Sequence, residues 1–175
     1  MLRNSYPEKL IVPFLKTSVE MGAIVSELRA LPFPNEVKRA TYVIIRNETA
    51  NGKSVINHTN LSGAQGDSGR WPSKWDNAIT SVCIKKENQT GRERIFLVFD
   101  TLANGIAFIC DRVQAKGIFI GENVNGKYYK GQVRTPDQLA DAYQDEWVHG
   151  KDHKPSQVEI ANFKSMYNQA VKLFP

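Results

Sequence analysis

The chain has 175 residues, of which 41% are hydrophobic and 23% charged, and its 23 Lys plus Arg against 18 Asp plus Glu give a net charge of +5. That length suits one domain rather than two large ones, and the composition excludes the apolar-poor class of disordered chains. No apolar run approaches the roughly 18–20 residues of a membrane span. Pro7, Glu8 and Pro13 interrupt the N-terminal apolar residues, so a signal peptide is not expected either.

In chain order, Thr17-Ser18-Val19-Glu20 has capping-box spacing, and Val19, Ala23, Ile24, Leu28 and Leu31 follow at helical intervals until Pro32 and Pro34, which predicts a first helix. Asn35 is placed to cap a second helix with Val37, Ala40, Val43 and Ile44 as its apolar stripe, running to Thr49 and closing before Asn51-Gly52. Glu48 then falls in the last turn of a buried helix. Residues 52–77 are rich in Gly, Ser, Asn and Asp without periodicity, which predicts a long irregular segment of the kind that carries function. Ile79 to Lys86 and Arg94 to Phe99 read as strands joined by Glu87-Asn88-Gln89-Thr90-Gly91, a hairpin in a small antiparallel sheet.

Leu102, Ile106, Ile109 and Val113 mark a third helix, capped by Asp100 or Thr101 and stopped at Gly117, and Asn125-Gly126 marks a tight turn. Thr135-Pro136-Asp137-Gln138 opens a fourth helix, with Leu139, Ala142, Tyr143 and Trp147 on its buried face and an end at Gly150. Ser156-Gln157-Val158-Glu159 opens a fifth, with Ile160, Phe163, Tyr167, Ala170 or Val171, and Phe174 facing inward. The expectation is a single α+β domain over 1–175, mostly helical, with a catalytic core at about 17–150 and a C-terminal helix at 156–174.

Cys83 and Cys110 lie in apolar surroundings and read as buried side chains rather than a disulfide or ligands. His58, His149 and His153 lack the spacing of a zinc set, so no metal site and no cofactor is expected. The basic residues are dispersed, which argues against nucleic acid as a partner. Lysine and arginine in excess still favour adhesion to an acidic polymer.

Arg46-Asn47-Glu48-Thr49-Ala50-Asn51-Gly52, followed by Asn60-Leu61-Ser62-Gly63-Ala64-Gln65, places an acid at a helix end and a Gly-turn loop a dozen residues later. The arrangement resembles the lysozyme superfamily, in particular its glucosaminidase and lytic transglycosylase branches. The segment from Arg94 to Leu102 after the hairpin resembles a glucosaminidase segment, and together the likeness covers about residues 36–116. It implies a lysozyme-like fold with a small β-hairpin or sheet, and a peptidoglycan glycan-strand hydrolase, expected to be phage-encoded, that is made in the cytoplasm. Such an enzyme reaches the cell wall after lysis, export or virion delivery. Glu48 matches the catalytic acid, Gly52 the helix-ending glycine, and Asn60, Leu61, Gly63 and Gln65 the cleft loop.

The chemistry of these residue types fits that implication. Cleaving a glycosidic bond near neutral pH needs a carboxyl that keeps its proton, and burial beside Val43, Ile44 and Ile45, together with the negative end of a helix dipole, favours the protonated form. Asp67 is the candidate second carboxylate, about 5–5.5 Å from the first in a retaining enzyme and about 6.5–9.5 Å in an inverting one; its other reading is an Asx-turn residue in a Gly-rich loop. Arg70, Trp71 and Trp75 are candidates for holding sugar, the indoles by stacking and the guanidinium by hydrogen bonds, with core anchoring as the plainer role of the two Trp. Tyr128, Tyr129 and Tyr143 are candidates for a far wall. A second expectation is a non-catalytic glycan-binding or virion structural module on the same scaffold, supported by Ser62 where the family often has an aromatic residue.

Overall fold

The computed structural model describes residues 3–121, 132–148 and 154–175. Three short strands and two helices precede the hairpin: β1 (Leu10–Val12), β2 (Lys16–Thr17), α1 (Met21–Ala30), α2 (Asn35–Glu48) and β3 (Val55–Ile56). The hairpin is β4 (Ile79–Lys86) and β5 (Glu93–Phe99), and α3 (Leu102–Lys116), α4 (Pro136–Tyr143) and α5 (Gln157–Leu173) complete the chain. This is the expected α+β architecture. Among the described residues no helix is long and apolar enough to cross a membrane.

α2 is the axis of the molecule. Val37, Ala40, Val43, Ile44 and Ile45 are wholly buried, and Thr41 and Tyr42 are buried beside them, because α1, α3 and α5 all pack on this helix. The helix is amphipathic in sequence, and its polar residues Glu36, Arg39 and Arg46 are themselves only half-exposed because neighbours cover it from several directions. α5 supplies the cover that the sequence alone left unassigned: it packs on α2 and α4, with Phe163, Met166, Tyr167 and Ala170 inward and Val171 exposed. Phe174 closes the far end with its ring edge-on to Tyr42 at 6.1 Å.

The sheet is mixed rather than purely antiparallel. β4 and β5 pair antiparallel from Ile79↔Phe99 to Lys86↔Glu93, and β1 joins the other edge of β4 in parallel, Leu10↔Ser81 to Val12↔Cys83. Residues 64–66 extend the outer edge of β5: Leu97 N–H donates to Ala64 O at 3.0 Å and Gly66 N–H to Ile95 O at 2.9 Å. The irregular segment is thereby docked on the sheet. β2 and β3 form a separate antiparallel pair, Lys16↔Ile56 and Thr17↔Val55.

Several helix ends depart from expectation for local reasons. The capping box at Thr17–Glu20 is not made: Thr17 belongs to β2, where its hydroxyl donates to Val55 O at 2.8 Å, and α1 starts at Met21 after Glu20 without a side-chain cap. Pro34, not Asn35, precedes α2, and the Asn35 amide donates instead to Pro175 O at 2.7 Å. Thr101 caps α3, Gly117 ends it at φ +68°, and the Ser156–Glu159 capping box is complete. Thr135 caps α4, but the Gln138 side chain accepts from Arg134 N–H, one residue outside the box. α4 then widens into a π-helical turn at Gln144–Val148; its expected end at Gly150 and the Asn125-Gly126 turn lie outside the described residues.

Candidate active site

Everything that positions Glu48 begins at the end of α2. Thr49 turns its hydroxyl back to Ile45 O at 2.6 Å and accepts from Gly52 N–H at 2.8 Å, while Ala50, Asn51 and Gly52 all take positive φ. The chain thus reverses within one turn of the acid. Gly52 is required there twice over: its φ is +81°, and a Cβ would sit 2.1 Å from Val19 O, because Val19 N–H donates to Gly52 O at 2.8 Å.

The Glu48 carboxyl lies half-buried in a pocket of about 220 Å³, with Phe14, Lys16, Ser54, Asn60, Lys85 and Phe96 among the lining. Its Oε1 accepts the Tyr143 hydroxyl at 2.5 Å, and that hydroxyl in turn accepts the Asn47 amide at 3.0 Å. Oε2 has no hydrogen-bond partner among the described residues, which leaves one carboxyl oxygen for a ligand. Burial raises the Glu48 pKa above the ordinary carboxylate value, and the Tyr143 hydrogen bond opposes that rise without cancelling it. Tyr143 is itself pushed up by burial and by the Glu48 charge, so it remains a donor. Its ring packs on Phe163 of α5 at 5.2 Å.

The loop after Glu48 is built around two asparagines. Asn57 and His58 take positive φ in a tight turn closed by Thr59 N–H to Ile56 O, and Asn57 pins that turn to the N-terminal segment through Pro13 O and Leu15 N–H. Asn60 is 1% exposed and spends all its side-chain capacity on backbone: Nδ2 donates to Ala64 O and Leu97 O, and Oδ1 accepts from Ala64 and Ser62 N–H. It shapes the pocket wall and joins loop to sheet, so its work here is positioning. Gly105 of α3 lets this loop approach, since a Cβ there would sit 1.9 Å from Thr59 O.

The remaining sequence candidates separate. Gln65 and Trp71 line a second pocket, which shares Gly63 with the Glu48 pocket. Trp75 is 8% exposed, packs edge-on to Phe108 at 5.3 Å, and donates from Nε1 to Asp111; it is a core anchor. Arg70 pairs with Glu8 at 2.8 Å and Asp76 at 3.2 Å and covers the Tyr6 ring at 4.4 Å, fastening the N-terminal segment to the loop. Asp67 is off the Glu48 pocket lining, with its nearest cation Arg94 at 3.7 Å and its Oδ1 buried without a partner among the described residues. Of the three tyrosines only Tyr143 reaches the acid within the described residues; Tyr128 and Tyr129 lie outside them.

Phe14, Lys16, Lys85 and Phe96 were missed by sequence reasoning. Phe14 and Phe96 meet at 6.3 Å between centroids, and the Lys85 ammonium stands 4.9 Å over Phe14. Nothing local signals that pairing, because it depends on the N-terminal segment crossing the hairpin. Among the described residues no group of His, Cys, Asp and Glu could hold a metal ion. Both cysteines are free and buried, and burial pushes Cys83 up to about 11 and Cys110 up to about 12, which keeps them as thiols. No protein-family profile, curated protein or solved structure matches this chain.

Proposed function

We propose that the protein cleaves the glycan strand of peptidoglycan, as a glucosaminidase or muramidase of lysozyme-like type, with Glu48 as general acid. The observation that carries this reading is the state of one carboxyl: Glu48 sits half-buried in a pocket, raised in pKa, with Oε1 held by Tyr143 and Oε2 unengaged. A carboxyl held that way retains a proton at a pH where exposed carboxylates have lost theirs, and has one fixed direction in which to deliver it.

Oε2 protonates the leaving glycosidic oxygen as the bond to the anomeric carbon breaks. The carboxylate so formed then takes a proton from the nucleophile that attacks that carbon, water in hydrolysis or a sugar hydroxyl in transglycosylation. Tyr143 stabilises this charged form by donating to Oε1, and so limits the cost of ionising a buried group. The Lys16 and Lys85 ammonium groups on the pocket lining suit an acidic polymer. A single-acid course fits best, because Asp67 faces Arg94 instead of the pocket. That same engagement of Asp67 favours the second reading, a glycan-binding or virion structural module on the same scaffold.

Digestion of peptidoglycan by wild type and by Glu48→Gln, with mass spectrometry of the released fragments, tests the reading. Fragments from wild type alone support cleavage, and their terminal sugar identifies the bond and separates hydrolysis from transglycosylation. Equal binding of both proteins to several wall types with no release by either overturns it in favour of the binding module.

A further inference from the structure

Glu48 shares its hydrogen-bonding partner with the residue before it. Asn47 and Glu48 close α2, and both reach the hydroxyl of Tyr143 at the end of α4: Asn47 Nδ2 donates to it at 3.0 Å, and it donates to Glu48 Oε1 at 2.5 Å. We propose that Asn47 is a positioning residue that decides which oxygen of Glu48 carries the proton: by donating to Tyr143 it commits the tyrosine's only proton to Oε1 and leaves the acid's own proton on Oε2. The geometry stands by itself; its consequence for catalysis rests on the glycan-cleaving reading above.

Protons and lone pairs leave one arrangement. A phenol has a single proton to give, and its oxygen can also accept. An amide nitrogen only donates, so nothing on the Asn47 side competes for the Tyr143 proton, and among the described residues Glu48 Oε1 is the acceptor that takes it. Oε1 is therefore already engaged as an acceptor when Glu48 is protonated, and the hydrogen sits on Oε2, which has no partner among the described residues. An acceptor in place of the amide would reverse this. Tyr143 would turn its proton toward position 47, and its oxygen would then accept from Oε1–H, holding the acid's proton on the wrong oxygen.

The surroundings make this contact count. Tyr143 is 2% exposed and its ring packs on Phe163, so the hydroxyl oxygen is fixed and only its hydrogen turns. Asn47 itself is exposed, so a substitution there changes the bond without emptying the core. Its hydrogen bond lowers the Tyr143 pKa against the larger rise from burial, which strengthens the tyrosine as a donor to Oε1. Lys16 of β2 and Lys85 of β4 are the other charged groups on the Glu48 pocket lining, and Glu159 of α5 acts on Tyr143. Arg46, beside Asn47 on α2, is turned to Asn51 and Gln169. A change at position 47 leaves all four in place.

The test compares Asn47→Leu and Asn47→Asp, each alone and combined with Tyr143→Phe. Two readouts are followed: the carbon-13 NMR titration of the Glu48 carboxyl, and kcat for fragment release at pH values where an exposed aspartate is ionised. Asn47→Leu removes the donor at similar size and should move the Glu48 titration to higher pH, by less than Tyr143→Phe does. Asn47→Asp supplies an acceptor; it should also move the titration up, yet lower kcat by about a hundredfold, the lower end of what a general acid contributes. A carboxyl that keeps its proton more firmly and delivers it worse is the signature of a misplaced proton, and neither a structural role nor a simple charge effect produces it. With Phe at position 143, Asn47→Leu should leave the titration unmoved and Asn47→Asp should lower kcat by less than about twofold further. An unmoved titration in Asn47→Leu, or equal effects with and without the Tyr143 hydroxyl, overturns the assignment. Should Asn47→Asp not fold, the Asn47→Leu titrations decide alone. Fragment release without this coupling removes the role of Asn47 and leaves cleavage standing; coupled titrations in a protein that releases no fragments remove cleavage and leave the role of Asn47 on Glu48.

Discussion

Glu48 and Tyr143 set the pH behaviour between them. The Tyr143 hydrogen bond lowers the Glu48 pKa against a larger rise from burial, so Tyr143→Phe, which keeps the ring on Phe163 and removes the donor, should raise it further. A general acid works while protonated, and activity is lost as pH rises through its pKa. The alkaline limb of the kcat/KM profile for fragment release should therefore move to higher pH in Tyr143→Phe, while the maximum falls because the carboxylate loses its stabilising donor. A purely structural tyrosine would lower activity at every pH without moving the limb.

The same raised pKa has a cost in stability. The folded state holds the Glu48 proton where the unfolded chain has already released it, so stability falls as pH rises from the ordinary carboxylate value through the raised one. Gln carries no charge to bury and its Oε1 still accepts from Tyr143. Glu48→Gln is expected to melt above wild type at neutral pH, and the gap should close below the ordinary carboxylate pKa. Calorimetry across that pH range checks it.

At the scale of elements, the periodic parts of the chain were legible and the crossings were not. α2, α3 and α5 could be read because 3.6-residue stripes, caps and stop glycines are local signals, and Glu48 at a helix end came with them. β1 and β2 are too short to show alternation, and their partners lie far away in sequence, at β4 and β3. The same distance hid the choice of Tyr143, 95 residues from Glu48, and the engagement of Asp67 by Arg94. Gly105 is another case: within the helical pattern it reads as a weak position, yet it is where α3 admits the loop of Asn60. Gly105→Ala places a methyl against the Thr59 carbonyl and should cost about 1–3 kcal/mol, the range of overpacking in a tight core, measurable as a lower urea midpoint. Fragment release should fall with it, since the displaced loop forms the pocket wall.

For the molecule as a whole, a helical body and a small mixed sheet meet at α3 and the 57–66 loop, and both pockets open from that loop. The C-terminal helix belongs to this arrangement as backing. Phe163 supports the Tyr143 ring, and Arg29 and Arg39 donate to the Leu173 and Phe174 carbonyls, tying the end of α5 to the first two helices. Phe163→Ala empties a wholly buried site and should cost about 3–5 kcal/mol. Cys83 in β4 and Cys110 in α3 place one unreactive sulfur in each half, both fully shielded. They form a built-in pair of clocks: a thiol reagent can modify either only when its surroundings come apart. If sheet and helices open as one cooperative unit, both sulfurs should be alkylated at the same rate under native conditions; a faster Cys83 would mean that the hairpin detaches first, carrying away the β5 edge on which the pocket loop is docked.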